Sequence, residues 1–312
     1  MTPLDESAKG VFIISATPFA DDGALDLQSA SRLTDFYLES GVNGITLLGM
    51  MGEAPKLTEA EQREFMDHVL GRVDGRVPVV VGVSNAGLVN LVGLAKAAMD
   101  GGAAGVMVAP TPGLKSDDQV FGYFARVFEA LGEGIPLVYQ DYPQSTGVFA
   151  SVALLNRLVD TFPALVMLKH EDCPGLGKLS QIRRTAEIDS RRRISILCGN
   201  GGLYLPQELA RGADGAMTGF AYPEMLVGVC DRFAKGDRAA AEDLFDAYLP
   251  LVRHEQQPGF GLALRKEVLR RRGAIASAAT RVPGPSLTAE DQDELTALIQ
   301  RLEGRLAELD RA

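Results

Sequence analysis

Tryptophan is absent from this chain, and cysteine and histidine occur only three times each in 312 residues. Cys173, Cys198 and Cys230 are an odd count at wide spacing with no CxxC pair, which argues against a disulfide framework and a cysteine zinc site. His68, His170 and His254 form no HxH or HxxxH pair, so no metal ligands are expected. Positive charge is in deficit: 31 Lys and Arg stand against 41 Asp and Glu, a net charge of −10. That balance removes the electrostatic basis for binding nucleic acid or an anionic membrane surface. No apolar run approaches a membrane span, and no basic-then-apolar segment at the N-terminus reads as a signal peptide. A reducing cytoplasm is the expected setting. The GxGxxG of a dinucleotide fold is missing as well; after the first apolar run the chain reads Ser15-Ala-Thr-Pro-Phe19.

What is present is an alternation. Short apolar runs at residues 11–15, 44–48, 77–82, 105–109, 136–140, 164–169, 194–198 and 215–218 are separated by longer amphipathic stretches. Runs this short and uncharged read as strands covered on both faces. Thr58-Glu-Ala-Glu61 predicts a capping box and a helix to about residue 71, and Ser151 predicts a second helix start with Leu154, Leu155, Leu158 and Phe162 on one face. Gly41-Val-Asn-Gly44, Gly102-Ala-Ala-Gly105 and Gly212-Ala-Asp-Gly215 each predict a left-handed helix stop leading into a strand. A repeated βα unit with right-handed crossovers predicts an α/β fold, a (β/α)₈ TIM barrel over residues 1–223, with a doubly wound open sheet as the rival. Residues 224–312 read as a C-terminal helical region packed on the barrel, with helices at 234–255, 261–272 and from about 288. The last carries a stripe of Leu295, Leu298, Ile299, Leu302, Leu306 and Leu309 suited to packing on the barrel or a partner subunit.

A barrel places its chemistry at the C-terminal ends of its strands. The sixth run ends Met167-Leu-Lys169, the only one of eight lysines to close an apolar strand. Alternation puts Lys169 on the side of Leu165 and Met167, opposite Val166 and Leu168. If that side faces the axis, burial disfavours the ammonium form and supplies the free amine that attacks a carbonyl. The competing reading is a strand-end lysine paired with Glu171 or Asp172 near solvent. At the second strand, Gly49-Met50-Met51-Gly52 leaves backbone N–H groups suited to a carboxylate or phosphate. The fifth offers two tyrosines and an aspartate, Tyr139, Tyr142 and Asp141, as candidate acid–base groups, with Gln140 also a catalytic candidate; the competing reading is that one tyrosine packs beneath a helix. Gly199 and Thr218, after the seventh and eighth strands, are candidate substrate contacts or, alternatively, part of a phosphate site.

Taken in order, Thr17-Pro-Phe19, Gly49-Met-Met-Gly-Glu53, Pro143-Gln-Ser-Thr-Gly147, Lys169, Gly199, Gly212-Ala-Asp-Gly215 and Arg281-Val-Pro283 resemble the dihydrodipicolinate synthase/N-acetylneuraminate lyase family along nearly the whole chain. The resemblance implies a barrel with helical extension, commonly assembled as a homotetramer or otherwise homo-oligomeric. It also implies cofactor-free class I aldolase chemistry, with Lys169 forming a Schiff base with pyruvate or another 2-keto acid. Departures are local. Met50 and Met51 stand where the family has hydroxyl residues, Gln140 where it has its catalytic tyrosine, Thr111-Pro112 for a tyrosine pair, and Ser145 for the arginine that binds the second substrate's carboxylate. Tyr139 is then expected to face the helices, with Tyr142, Asp141 or water supplying the acid–base function. These departures point to a less anionic second substrate in a wider, more apolar pocket. A sugar-phosphate barrel enzyme and a non-catalytic keto-acid or sugar-acid binder are the alternatives.

Overall fold

All eight apolar runs form strands. A computed structural model, which describes residues 2–309 and Arg311, contains β1 (Gly10–Ile14), α1 (Leu27–Glu39), β2 (Gly44–Leu47), α2 (Glu59–Val73), β3 (Val79–Gly82), α3 (Leu88–Asp100), β4 (Gly105–Val108) and α4 (Asp117–Leu131). These are followed by β5 (Leu137–Asp141), α5 (Pro143–Thr146), α6 (Val152–Thr161), β6 (Leu165–His170), α7 (Leu176–Ile188), β7 (Ser195–Cys198), α8 (Leu205–Ala210) and β8 (Gly215–Ala216). The chain ends in α9 (Pro223–Ala234), α10 (Arg238–Glu255), α11 (Gly261–Arg271) and α12 (Ala289–Leu309). The strands pair in parallel in sequence order and close β8 onto β1, so the barrel prevails over the open sheet.

The local signals act as expected. Thr58 accepts from the Glu61 N–H while Glu61 caps the Thr58 N–H in return, and Ser151 accepts from Leu154 N–H. Gly41, Gly102 and Gly212 have φ of +77°, +93° and +92°, a conformation that disfavours side chains with a Cβ. Two buried layers result. Outward strand residues such as Ile13, Ile45, Val81 and Tyr139 pack against the helices, whereas Phe12, Ile14, Val80, Met107, Val138, Met167, Leu197 and Met217 fill the barrel.

The helix expected at 234–255 begins only at Arg238, because Gly236 (φ +81°) breaks the chain and Asp237 caps the new helix through Ala240 N–H. The preceding α9 packs on β1 as the barrel's eighth helix. The leucine stripe of α12 lies on α10 of the same chain, with Leu295 and Leu302 buried. Among the described residues no helix is long and apolar enough to cross a membrane.

Candidate active site

Strand β6 carries one residue more than its neighbour. Leu137 pairs with Leu165 but Val138 with Met167, so Val166 is bulged out of register. Simple alternation places Leu165 on the side of Lys169; the bulge instead turns Leu165 toward the helices and lets Val166 join Met167 in the inner cluster. Above the bulge alternation resumes, and Lys169 follows Met167 into the barrel with its side chain 2% exposed. Its surroundings are not purely apolar. The ion pair anticipated near solvent exists inside the barrel, with Lys169 Nζ 3.0 Å from Glu171 Oε2 and Glu171 itself 9% exposed.

Glu171 is the site residue that sequence reasoning passed over as a competing partner. The signal was available, since two residues beyond Lys169 an extended chain returns to the same face. Gln140, cross-strand from Lys169, donates from Nε2 to the same Oε2 at 2.7 Å, and Asn200 Nδ2 donates to the Glu171 carbonyl at 3.2 Å. The carboxylate therefore bridges the lysine and the amide. Gly199 makes room for it: a Cβ there would lie 2.2 Å from Glu171 Cγ. Its role is thus steric support of Glu171, and a carboxylate at this point repels the phosphate that the rival reading puts in the β7–β8 loops. Gly199→Ala is expected to push Glu171 off Lys169 and lower kcat/KM by about 10²-fold, the scale of an ångström-sized misplacement. Steady-state kinetics checks this, and full activity in a folded Gly199→Ala protein contradicts it. Thr218, buried beside this loop, accepts from the Gly201 N–H at 2.7 Å and so holds the loop rather than opening to the mouth.

The fifth strand divides its candidates between two sides. Tyr139 faces the helices as expected, its ring 4.7 Å from that of Phe124. Tyr142 is half-buried at the mouth, where burial, and then the Glu171 charge, raise its phenol above the usual range. Asp141 is not brought to Lys169. It lies beneath the helices, 2.6 Å from Lys178 Nζ and 3.6 Å from His170 Nδ1, because it alternates with the inward Gln140.

The same outer layer holds Glu208, buried beside Cys198 with its Oε2 unpartnered among the described residues; burial raises its carboxyl to about 7. An unfolded glutamate ionises near 4.3, so the folded chain binds more protons between these values and loses relative stability as pH rises from about 4.3 to 7. Glu208→Gln keeps the neutral amide throughout. It is expected to match the parent at pH 4 and to exceed it at pH 8 by roughly 2–4 kcal/mol. Urea unfolding at both values measures this; an equal difference at the two pH values contradicts it.

The β2 loop is entered and left through left-handed residues, Leu48 (φ +52°) and Glu53 (φ +51°), which flank Gly49, Met50, Met51 and Gly52. Such backbone costs about 1–3 kcal/mol per residue and persists only where its surroundings impose it. They do so here. Gly82 lets the Leu48 carbonyl pass, since a Cβ there would lie 2.4 Å from Leu48 O. The buried Glu53 is held by Lys266 Nζ at 2.7 Å, Lys56 Nζ at 2.9 Å and the Arg281 N–H at 3.0 Å. Thr17 Oγ1 donates to the Gly52 carbonyl at 2.6 Å. Met50 projects to solvent, whereas Met51 packs onto the inner barrel cluster. A cavity of about 520 Å³ opens beside this loop, lined by Gly49, Met50, Ser84, Asn85, Asn90 and Gln140 among others.

Known proteins share this arrangement of elements. The structure of dihydrodipicolinate synthase from Rhodopseudomonas palustris superposes with a TM-score of 0.94 at 47% identity, covering 96% of this chain and 100% of that one. L-2-keto-3-deoxyarabonate dehydratase of Azospirillum brasilense is 30% identical over 95% of this chain and 94% of its own length. 4-hydroxy-tetrahydrodipicolinate synthase 1 of Streptomyces coelicolor is 33% identical over 98% and 97%. A model of the dihydrodipicolinate synthetase family matches residues 7–302. That span takes in every barrel strand, the lysine-bearing β6 and most of α12, and with it the chain belongs to the dihydrodipicolinate synthetase family of lyases.

Proposed function

We propose that this protein is a Schiff-base lyase that activates pyruvate or a related 2-keto acid at Lys169 and makes or breaks a carbon–carbon bond, with or without loss of water. The observation that carries this reading is the buried Lys169–Glu171–Gln140 cluster inside the barrel. A carbonyl carbon is attacked by an amine, not an ammonium, so the lysine must give up a proton first. Glu171, at 3.0 Å, is the adjacent carboxylate that can take it. Attack of Nζ on C2 forms a carbinolamine; return of the proton from Glu171 lets its hydroxyl leave as water and yields the protonated imine. The imine withdraws electrons from C3, so loss of a proton, or of a carbon–carbon bond, at C3 leaves an enamine. Gln140 fixes the carboxylate during these transfers. Tyr142 stands at the mouth, where burial and the Glu171 charge keep its phenol protonated and able to donate a hydrogen bond to the second substrate.

The lining of the adjoining cavity supports a second substrate whose body is uncharged. Ser84, Asn85, Asn90 and Gln140 present hydroxyl and amide groups, Glu59 adds a carboxylate that disfavours an anion, and among the described residues no lysine or arginine lines it. This lining is more polar than a purely apolar pocket and suits hydroxylated carbon chains. Gly49, Met50 and Met51 are the proposed backbone contacts of the acid, whereas the Gly52 N–H, expected to join them, donates to the Gly49 carbonyl at 3.0 Å. A homotetramer and a cytoplasmic setting accompany the family resemblance into this proposal. Trapping with borohydride tests it: pyruvate or a homologue is expected to add a reduced-imine mass to Lys169. Absence of label with any 2-keto acid contradicts it.

A further inference from the structure

The C-terminal helices send one arginine to the barrel mouth. Arg265, on α11, is 4% exposed. Its Nε donates to Glu255 Oε2 at 3.0 Å. The Gln256 amide, oriented to satisfy both of its ends, accepts from Arg265 Nη2 at 3.2 Å and donates to the Asn200 carbonyl at 3.3 Å. The guanidinium lies against the end of β8, where a Cβ on Gly219 would be 3.1 Å from Nη1. It thereby joins the β7 loop, the residue after Thr218 and the β2 loop.

Nη1 is the anomalous group. Its partner at 2.7 Å is the thioether sulfur of Met51. Guanidinium is a permanent cation with five donors shaped for a carboxylate, whereas a thioether is a weak, neutral acceptor. A buried charge of this kind costs free energy unless well paired, and Nε and Nη2 alone have oxygen partners here. Methionine is unbranched and flexible, so it moves aside more readily than a shaped residue. Met51 packs on the inner barrel cluster that also contains Met167, two residues before Lys169 on the same face. Withdrawing the Met51 side chain thus bares a cation toward the barrel interior.

We propose that Arg265 is the carboxylate-binding residue of this active site and that Met51 is its displaceable cover. An acid substrate replaces the sulfur on Nη1, and the C-terminal helices supply the positive charge that Ser145 does not. This rests on the proposed keto-acid chemistry for its choice of ligand. It is tested by binding alone.

The test is calorimetric titration with 2-hydroxybutyrate and 2-hydroxyglutarate, which carry carboxylates but no carbonyl and form no imine. Because Arg265→Met strands Glu255, the double variant Arg265→Met/Glu255→Gln is measured beside it, with Arg265→Lys and Met51→Ala. Both methionine variants are expected to bind at least about tenfold more weakly than the parent, as for loss of a charge-assisted pair. Arg265→Lys should fall between, and Met51→Ala should bind at least as tightly as the parent. Weakening with both acids assigns Arg265 to the carboxylate next to the reacting carbon; weakening with 2-hydroxyglutarate alone assigns it to a distal one. Parent binding of neither acid, or affinities within twofold in the folded double variant, overturns the proposal. Failure of imine trapping with carboxylate binding intact removes the lyase reading and leaves Arg265 standing.

Discussion

Lys169→Ala is expected to lower turnover of a 2-keto acid by about 10⁴-fold or more, because on the proposed chemistry it removes the atom to which the substrate is joined. The cost to folding must be separated from this loss. Lys169 is paired with Glu171 in the barrel interior, and removing one partner of a buried pair typically costs about 3–5 kcal/mol. Lys169→Met, which keeps most of the volume, and thermal unfolding of both variants distinguish the two effects. A folded Lys169→Met protein with parental kcat removes the lysine from the chemistry.

The second large effect is expected at Glu171. Glu171→Gln is nearly isosteric, and its side-chain oxygen still accepts from Gln140, but the amide takes no proton from the lysine. General acid–base groups contribute about 10²–10⁴-fold, and a fall in kcat within that range is expected. Imine should form at the same site with slowed kinetics, read from the time course of borohydride trapping at saturating keto acid. Unchanged trapping and turnover rates would assign Glu171 a purely structural role. Gly199→Ala acts on the same carboxylate, since a methyl there displaces it without altering its charge.

Much of this arrangement was legible in the chain. Eight short apolar runs, three glycine helix stops and two capped helix starts define a barrel, because each signal depends on neighbours only a few residues away. Lys169 was legible as an inward residue on its spacing from Met167. Leu165 was not, because the bulge at Val166 arises from the pairing of β6 with β5, and alternation within one strand carries no trace of it. Asp141 was misleading for the opposite reason. A polar residue at a strand end reads as a mouth residue, but its parity with Gln140 sends it under the helices to Lys178. Arg265 lay beyond sequence reasoning altogether, since its contact with Met51 joins residues 214 apart in the chain. The acidic balance of the chain hides such a group: one buried arginine scarcely alters a net charge of −10.

Family membership and the site's departures are compatible. The shared fold is a scaffold that hosts several chemistries, and on the proposed reading Met50, Met51, Gln140 and Ser145 change what surrounds the imine. On the proposed chemistry, specificity rests on the β2–β4 cavity, whose lining offers hydroxyl and amide groups and the Glu59 carboxylate, and on the cation brought by α11.

The most direct test of the account is mass spectrometry of the protein after incubation with 2-keto acids and borohydride. A single adduct is expected, with the mass of the reduced imine, mapped to the peptide containing Lys169 and absent from Lys169→Met. An adduct on another lysine, or none across pyruvate, 2-oxobutyrate and 2-oxoglutarate with a folded protein, contradicts it.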